Sequence, residues 1–359
     1  MQIPLKGRGA RSNVSGRFEP LVKESIDDGW QSDDQPAPQL RTTLSAEAAR
    51  KIISRNDSPD IGFDRSINPY RGCEHGCIYC YARPAHTYMG LSAGIDFESK
   101  LFYKPQGAEL LKNELNAPRY KCLPIHIGGN TDPYQPVERD TALTREMLTV
   151  LQRYNHPISI ITKSALITRD ADILGDMGRR NLAVACISIT TLDRKLAREM
   201  EPRAATPARR LEAIRILADA GCPVMVGFAP VIPGLNDHEM ESVLEAAAKA
   251  GATRAMYVTL RLPHEIKDLF QEWLADTRPD RAARVMSLVR QTRGGKDYDA
   301  DWSQRMKGTG PVADLIATRF KAAVKRYGLD GPRTPLDTTL FRLPPEARPQ
   351  MDLFKDMFG

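Results

Sequence analysis

From about residue 60 the chain alternates short apolar runs with stretches of helical period. Five runs stand out: PIHIGG (124–129), PISIITK (157–163), AVACISITT (183–191), CPVMVGFAPVI (222–232) and TRAMYVTL (253–260). They are near-continuous in Ile and Val rather than alternating with polar residues, the pattern of parallel strands buried on both faces. Between them the apolar positions shift to a helical spacing. In DTALTREMLTVLQRYN, Leu143, Met147, Val150, Leu151 and Tyr154 fall on one helical face. The helix expected from 207 has Thr206 at its N-cap, Pro207 at the first position and Gly221 as its stop. The next is expected to start at Asn236, with the carboxylate of Glu239 three residues on, and to close at Gly251.

A further strand leading into residues 68–84 brings the count to six β/α units. Right-handed crossovers wind such units into a parallel barrel or part of one, and an eight-stranded barrel would need two more. The expected fold class is therefore α/β, a partial (β/α)6 TIM-like barrel. KLFYK (100–104) predicts an extra strand, followed by a helix near 106–116. The expected organisation is a flexible N-terminal arm over 1–55, with QSDDQPAPQ as a linker, a core over 56–292, and a C-terminal extension over 293–359. The extension begins Gly-rich and then carries one amphipathic helix, DLIATRFKAAVKRYG.

Composition narrows the class. Apolar residues make up 42% of 359, enough for a sizeable core, and no run of about 18 apolar residues suggests a transmembrane helix. The N-terminus lacks the apolar stretch of a secretory signal, and Glu19, Glu24 and Asp27 argue against a transit peptide, so a cytoplasmic protein is expected. The formal charge of +6 is mildly basic, compatible with a phosphate-bearing partner. Arg8, Arg11 and Arg17 of the arm read as a solvated tail with some capacity to touch a polyanion.

The candidate chemistry is concentrated in NPYRGCEHGCIYCYARP, residues 68–84. Three of the six cysteines, Cys73, Cys77 and Cys80, fall there in the spacing C-x3-C-x2-C, while Cys122, Cys186 and Cys222 stand alone on apolar stretches and read as buried small hydrophobes. Zinc would need a fourth ligand, with His75 or His86 as candidates. A cubane iron–sulfur cluster would use three thiolates on three irons and leave the fourth open. The loop should follow the first strand, at the C-terminal mouth where parallel barrels keep their chemistry.

This spacing, with Tyr79 before the last cysteine and six β/α units behind it, resembles the radical S-adenosylmethionine (SAM) superfamily over roughly residues 60–290. The resemblance implies a [4Fe-4S] cluster on Cys73, Cys77 and Cys80, with S-adenosyl-L-methionine chelating the open iron. It implies reductive cleavage of SAM to a 5′-deoxyadenosyl radical that abstracts hydrogen from the substrate, and an external flavodoxin- or ferredoxin-like electron donor. It further implies that Tyr79 lies beside the open iron, that Gly128, Gly129, Asn130 and Asp132 face the SAM ammonium, and that Lys163 and Ser188 face its carboxylate or ribose. The superfamily often has an acid where this chain has Asn130.

A narrower resemblance rests on CYARPAHTYMGLSAGIDFESKLFYK, GGNTDPYQPVE, ITKS and MEPRAATPARRLEAI, which are similar to the branch containing spore photoproduct lyase and the so-called DNA repair photolyase relatives. It implies a nucleic-acid base as substrate. The lyase uses a cysteine near the end of its second strand as hydrogen donor; the matching IGGNTDPYQP has none, and Cys122 lies at the other end of that strand. Tyr134 is the candidate hydrogen shuttle in its stead. Arg203, Arg209 and Arg210 are candidates to grip a carboxylate or phosphate, with decoration of an exposed helix as the bland reading for Arg209 and Arg210. Asp132, Glu138 and Asp140 suggest an acidic rim, His126 a core histidine and His238 a solvated one. The reading from another class is a zinc-stabilised nucleic-acid-binding protein without catalysis.

Overall fold

The computed structural model describes residues 7–19, 40–332 and 335–345. The expected linker over 31–39 and the end of the C-terminal extension lie outside the described residues. All six expected strands form. In chain order the strands are β1 (Thr43–Ala46), β2 (Ile53–Arg55), β3 (Arg65–Ile67), β4 (Tyr70–Arg71), β5 (Lys100–Tyr103), β6 (Ile125–Ile127), β7 (Ile158–Thr162), β8 (Ala183–Ser188), β9 (Val224–Val231) and β10 (Arg254–Thr259).

The main sheet runs β10-β9-β8-β7-β6-β3-β2. Its neighbours from β3 to β10 are all parallel, and only β2 is antiparallel, against β3. The result is a mixed α/β fold around a six-stranded parallel sheet with β2 and β10 at its edges. The apolar runs become strands, but only one face is fully covered: Ile125, Ile127, Ile158, Ile160, Ala185, Ile187, Val224 and Val226 are all buried in one core cluster. His126, Ser159, Ile161, Val184 and Met225 between them are half-buried on the other face, where burial on both faces was expected.

The predicted helices appear as Leu143–Arg153, Pro207–Asp219 and Met240–Lys249. Two of their starts differ from expectation. Thr206 has the N-cap backbone but makes no side-chain cap bond. Asn236 and Glu239 do not build a capping box. The Asn236 side chain turns back to the Ile232 amide and the Thr190 and Pro230 carbonyls, and Glu239 accepts from the Leu192 amide. Partners outside the helix, donors and acceptors alike, outcompete the capping amides because both side chains are drawn into the junction between β8 and β9.

The expected extra strand is β5, and the helix behind it is Gly107–Leu115. β5 does not join the main sheet; it forms a small sheet with β1 and β4. The amphipathic helix of the extension, Pro311–Arg326, packs on helix Met240–Lys249 and against β10. Arg319 fixes that contact with a forked pair of bonds to Glu241, at 2.9 and 2.7 Å. No helix among the described residues is long and apolar enough to cross a membrane.

Residues 7–19, expected within a flexible arm, are instead packed against the core. Arg8, Ala10 and Ser12 are buried. Polar composition suggested a solvated tail, but the polar groups find buried partners, as described below.

Candidate functional site

The cysteine loop leaves the C-terminal end of β3, on the same side of the sheet as the turns that follow β6, β7 and β8. Gly72 and Gly76 take left-handed conformations, φ +76 and +65, and bend the loop around its thiols. A Cβ on Gly72 would lie 2.7 Å from Leu101, and one on Gly76 would lie 2.6 Å from the Glu98 carboxylate, so neither position admits a side chain. Cys73 and Cys77 are buried, Cys80 is partly so, and none is in a disulfide. Burial pushes all three thiols above their usual range. A metal that takes these sulfurs must therefore displace protons, and its bonds would stabilise thiolates that burial alone disfavours.

Three Arg–Glu pairs hold the loop. Arg83 is fully buried and donates to the carbonyls of Gly76 (3.1 Å) and Cys77 (2.9 Å), and to Glu98 (2.5 Å). Arg203 bonds Glu74 at 2.7 Å, and its amide meets the His75 carbonyl. Arg210 bonds Glu201, which in turn accepts from the Tyr79 hydroxyl and, at 2.6 Å, from Thr190. Burial raises Glu201, but Arg210 and then Lys163 outweigh it and hold the carboxyl down at about 2. Arg210 is thus neither a surface decoration nor a free anion grip: it is 1% exposed and also donates to the Ser188 and Ala205 carbonyls. Arg209 is exposed, as the bland reading had it.

The expected SAM-facing residues can be placed one by one. Tyr79 is buried with its hydroxyl committed to Glu201, leaving its ring as a wall, and Lys163 Nζ stands 5.7 Å from the centre of that ring. Gly128 has φ +94, and a Cβ there would come within 2.6 Å of the Ile161 carbonyl. The Gly129 carbonyl accepts from the Tyr81 hydroxyl. Asn130 is exposed, and its amide donates to Asn68 Oδ1 at 2.9 Å, fastening the β6 turn to the start of the cysteine loop. Ser188 is buried at the end of β8.

Asp132 is a hub. It accepts from the Tyr134 amide (2.9 Å), the Thr162 hydroxyl (2.6 Å) and the Lys163 amide (2.8 Å), and faces His75 Nδ1 at 3.3 Å. Burial works against its charge, but His75, Thr162 and the Lys163 amide bring it down to about 2. Both its oxygens therefore serve internal partners. The acidic rim does not form: Glu138 is fully buried and bonded to Tyr70 and Arg169, while Asp140 is exposed. Tyr134 is 1% exposed, and its hydroxyl donates to Asp170 at 3.0 Å. Its hydroxyl faces a buried carboxylate rather than open space.

Both histidines that would complete a zinc tetrahedron have other engagements. His75 faces Asp132, and His86 Nε2 lies 2.9 Å from the Lys100 carbonyl with its ring edge-on to Phe97. Among the described residues no three His, Cys, Asp or Glu side chains converge on a point that would hold a single metal ion. A cluster makes a different demand, since each thiolate needs only its own iron. His126 stacks on Phe63 and bonds Ser159, as a core histidine does, and His238 is exposed.

Sequence reasoning missed Arg83, Glu98, Glu74 and Glu201 as organisers of the loop. The signal was present as charged residues in otherwise apolar company, in CYARP and GIDFES, but nothing local says that Arg83 and Glu98 meet, and Glu74 finds Arg203 far along the chain.

The family model described as Radical SAM superfamily matches residues 67–247. An uncharacterized protein of Mycobacterium tuberculosis is 34% identical over 233 residues, 64% of this chain and 68% of its own length. Another, from Methanocaldococcus jannaschii, is 28% identical over 191 residues, 53% of this chain and 68% of its own. Among solved structures, two variants of spore photoproduct lyase match with TM-scores of 0.53 and 0.51. They are 14% and 16% identical and cover 80% and 79% of this chain and 79% and 78% of theirs. At that identity the likeness is one of fold.

Proposed function

The chain belongs to the radical SAM superfamily of enzymes, and from that premise we propose that it carries a [4Fe-4S] cluster on Cys73, Cys77 and Cys80 and reductively cleaves S-adenosylmethionine to abstract hydrogen from a nucleic-acid base. Membership implies SAM and an iron–sulfur cluster; the cluster type, the ligands and the substrate are this reading's own. The observation that carries it is the donor set. Three unpaired thiols sit on one glycine-bent loop at the C-terminal side of a parallel sheet, and the nearby histidines are turned to other partners.

When bound, such a cluster supplies the electron that splits a carbon–sulfur bond of SAM, and so a radical able to take hydrogen from carbon. The protein's part is aim and exclusion of water. Arg83 fixes the Gly76 and Cys77 carbonyls, so the loop keeps its shape as the thiols lose their protons. Lys163 places a cation beside Tyr79, where it would meet the SAM carboxylate. The main-chain carbonyls of the Gly128–Gly129 turn would receive the SAM ammonium, as glycine backbone does elsewhere. Ser188 closes the floor at the end of β8.

The base as substrate rests on the lyase-like motifs and the mild positive charge. The photoproduct lyase's own hydrogen return is not carried over. The turn after β6 has no cysteine, and Cys122 precedes that strand, at the end away from the loop. Enzymes of this superfamily generally need an external reductant, and a flavodoxin- or ferredoxin-like protein is the donor proposed here.

The test is anaerobic reconstitution followed by iron and sulfide counts and assay of 5′-deoxyadenosine. Four irons per chain with reductant-dependent 5′-deoxyadenosine, both lost in Cys80→Ala, is the expected result. Stoichiometric zinc and no SAM cleavage would overturn it. Deuterium transfer from labelled nucleic-acid or peptide pools into 5′-deoxyadenosine then decides the substrate class.

A further inference from the structure

The N-terminal segment GRGARSN is too well engaged to be a tail. The amides of Gly9 and Ala10 donate to the two Glu98 oxygens at 2.9 and 2.8 Å, and Arg8 donates to the Glu98 carbonyl at 2.5 Å. Glu98 is the partner of Arg83, whose guanidinium holds the Gly76 and Cys77 carbonyls. Main-chain contact is just as close. A Cβ on Gly9 would lie 1.8 Å from the Gly76 carbonyl oxygen, and one on Gly94 would lie 2.1 Å from that of Ser12. Asn13 and Asp96 exchange two further bonds, at 3.0 and 2.9 Å.

The same segment reaches the other end of the fold. Ser12 donates to Glu272 at 2.7 Å, and Arg11 pairs with Asp276 at 3.1 Å, both on helix Ile266–Thr277, which follows β10. Ala10 joins an apolar cluster that contains Cys77, Ile78 and Tyr79 of the loop together with Phe270 and Trp273 of that helix. The main sheet is open between its edges, so this segment links the first β/α unit to the last across the cysteine side.

We propose that residues Gly7–Gly16 are a strap that closes the cysteine site from behind and sets how firmly the site retains its cluster, acting on the loop through Glu98 and Arg83 as positioning residues. The proposal rests on the cluster reading above. It explains why a buried carboxylate sits beneath a loop that must carry thiolates. The Gly9 and Ala10 amides and Arg83 together neutralise Glu98, and the loop carbonyls stay turned toward Arg83 rather than toward the metal.

The experiment uses the full chain, reconstituted anaerobically, as wild type and as Gly9→Ala, Arg8→Ala and Arg215→Ala. Arg215 lies on the exposed face of helix Pro207–Asp219, where it pairs with Glu212 and Asp219, and serves as control. Iron loss to bathophenanthroline disulfonate is followed by absorbance, and the fold of the metal-free proteins by far-UV circular dichroism and thermal melting. Iron release at least fivefold faster in Gly9→Ala and Arg8→Ala, with the fold intact and Arg215→Ala unchanged, is expected. Hydrogen exchange should show the Gly9 and Ala10 amides protected in the wild type and released in Gly9→Ala. Wild-type release rates in both arm variants would overturn the strap, and so would loss of the whole fold in Gly9→Ala, which would make the arm part of the core. A wild type that takes up no iron would instead sink the cluster reading, while the exchange data would still judge the docking.

Discussion

Asp132 and His75 face each other at 3.3 Å, joining the turn after β6 to the middle of the cysteine loop. The same carboxylate binds the Thr162 hydroxyl and the Lys163 amide at the end of β7. One buried charge thus sets three adjoining segments of the mouth relative to one another. Asp132→Asn keeps the shape but loses the charge and turns one acceptor into a donor. It should cost on the order of 1–3 kcal/mol, because buried donors lose their partner. Urea unfolding of the metal-free protein measures this; an unchanged midpoint would remove Asp132 from its role as hub.

The Glu201–Arg210 pair predicts strong non-additivity. Both side chains are buried, so removing either partner leaves an uncompensated charge and should cost on the order of 3–5 kcal/mol. Replacing both, as Glu201→Gln with Arg210→Met, should cost clearly less than the sum of the two single changes. A double-mutant cycle in denaturant reads the coupling directly, and strict additivity would contradict the pairing.

Lys163 separates cofactor binding from metal binding. Its ammonium lies over the Tyr79 ring and makes no ion pair among the described residues. Lys163→Met should leave iron content unchanged and weaken SAM binding by about tenfold, some 1.4 kcal/mol. Calorimetry on the reconstituted variant tests this. Loss of iron with unchanged SAM affinity would reverse the assignment.

Two buried histidines and one half-buried one predict acid sensitivity. Burial lowers His86, His126 and His156 to about 4 in the folded chain, against about 6.5 when unfolded. Between pH 6.5 and 4 the unfolded chain therefore binds more protons, and stability falls as pH drops through that window. Each ring contributes a slope of up to about 1.4 kcal/mol per pH unit. Urea midpoints of the metal-free protein should be lower at pH 5 than at pH 7, and His126→Gln should flatten the difference. Equal midpoints at the two pH values would mean that these rings are protonated in the fold.

Much of the scaffold was legible because its determinants are local. The Ile/Val runs at 124–129, 157–163 and 183–191 suit strands, and Pro207 and Gly221 bracket a helix by their own backbone limits. That the successive β/α units lie side by side as parallel strands followed from their alternation along the chain rather than from any single residue. The cysteine spacing marked the loop as the candidate metal site by itself, with three thiols in eight residues.

What the sequence left open are the partnerships across distance. Nothing local shows that Glu98 anchors the amides of Gly9 and Ala10, that Arg210 reaches Tyr79 through Glu201, or that Tyr134 turns to Asp170. Composition gave the arm the look of a solvated tail, because polar residues read as exposed until their partners are known. By itself the sequence determined the strands, the helices and the thiol-bearing loop, through backbone preference and hydrophobic period. Only the tertiary structure decided which polar groups are buried together, because the Glu98 carboxylate and the Gly9 and Ala10 amides, 89 and 88 positions away, become neighbours only once the chain has folded between them.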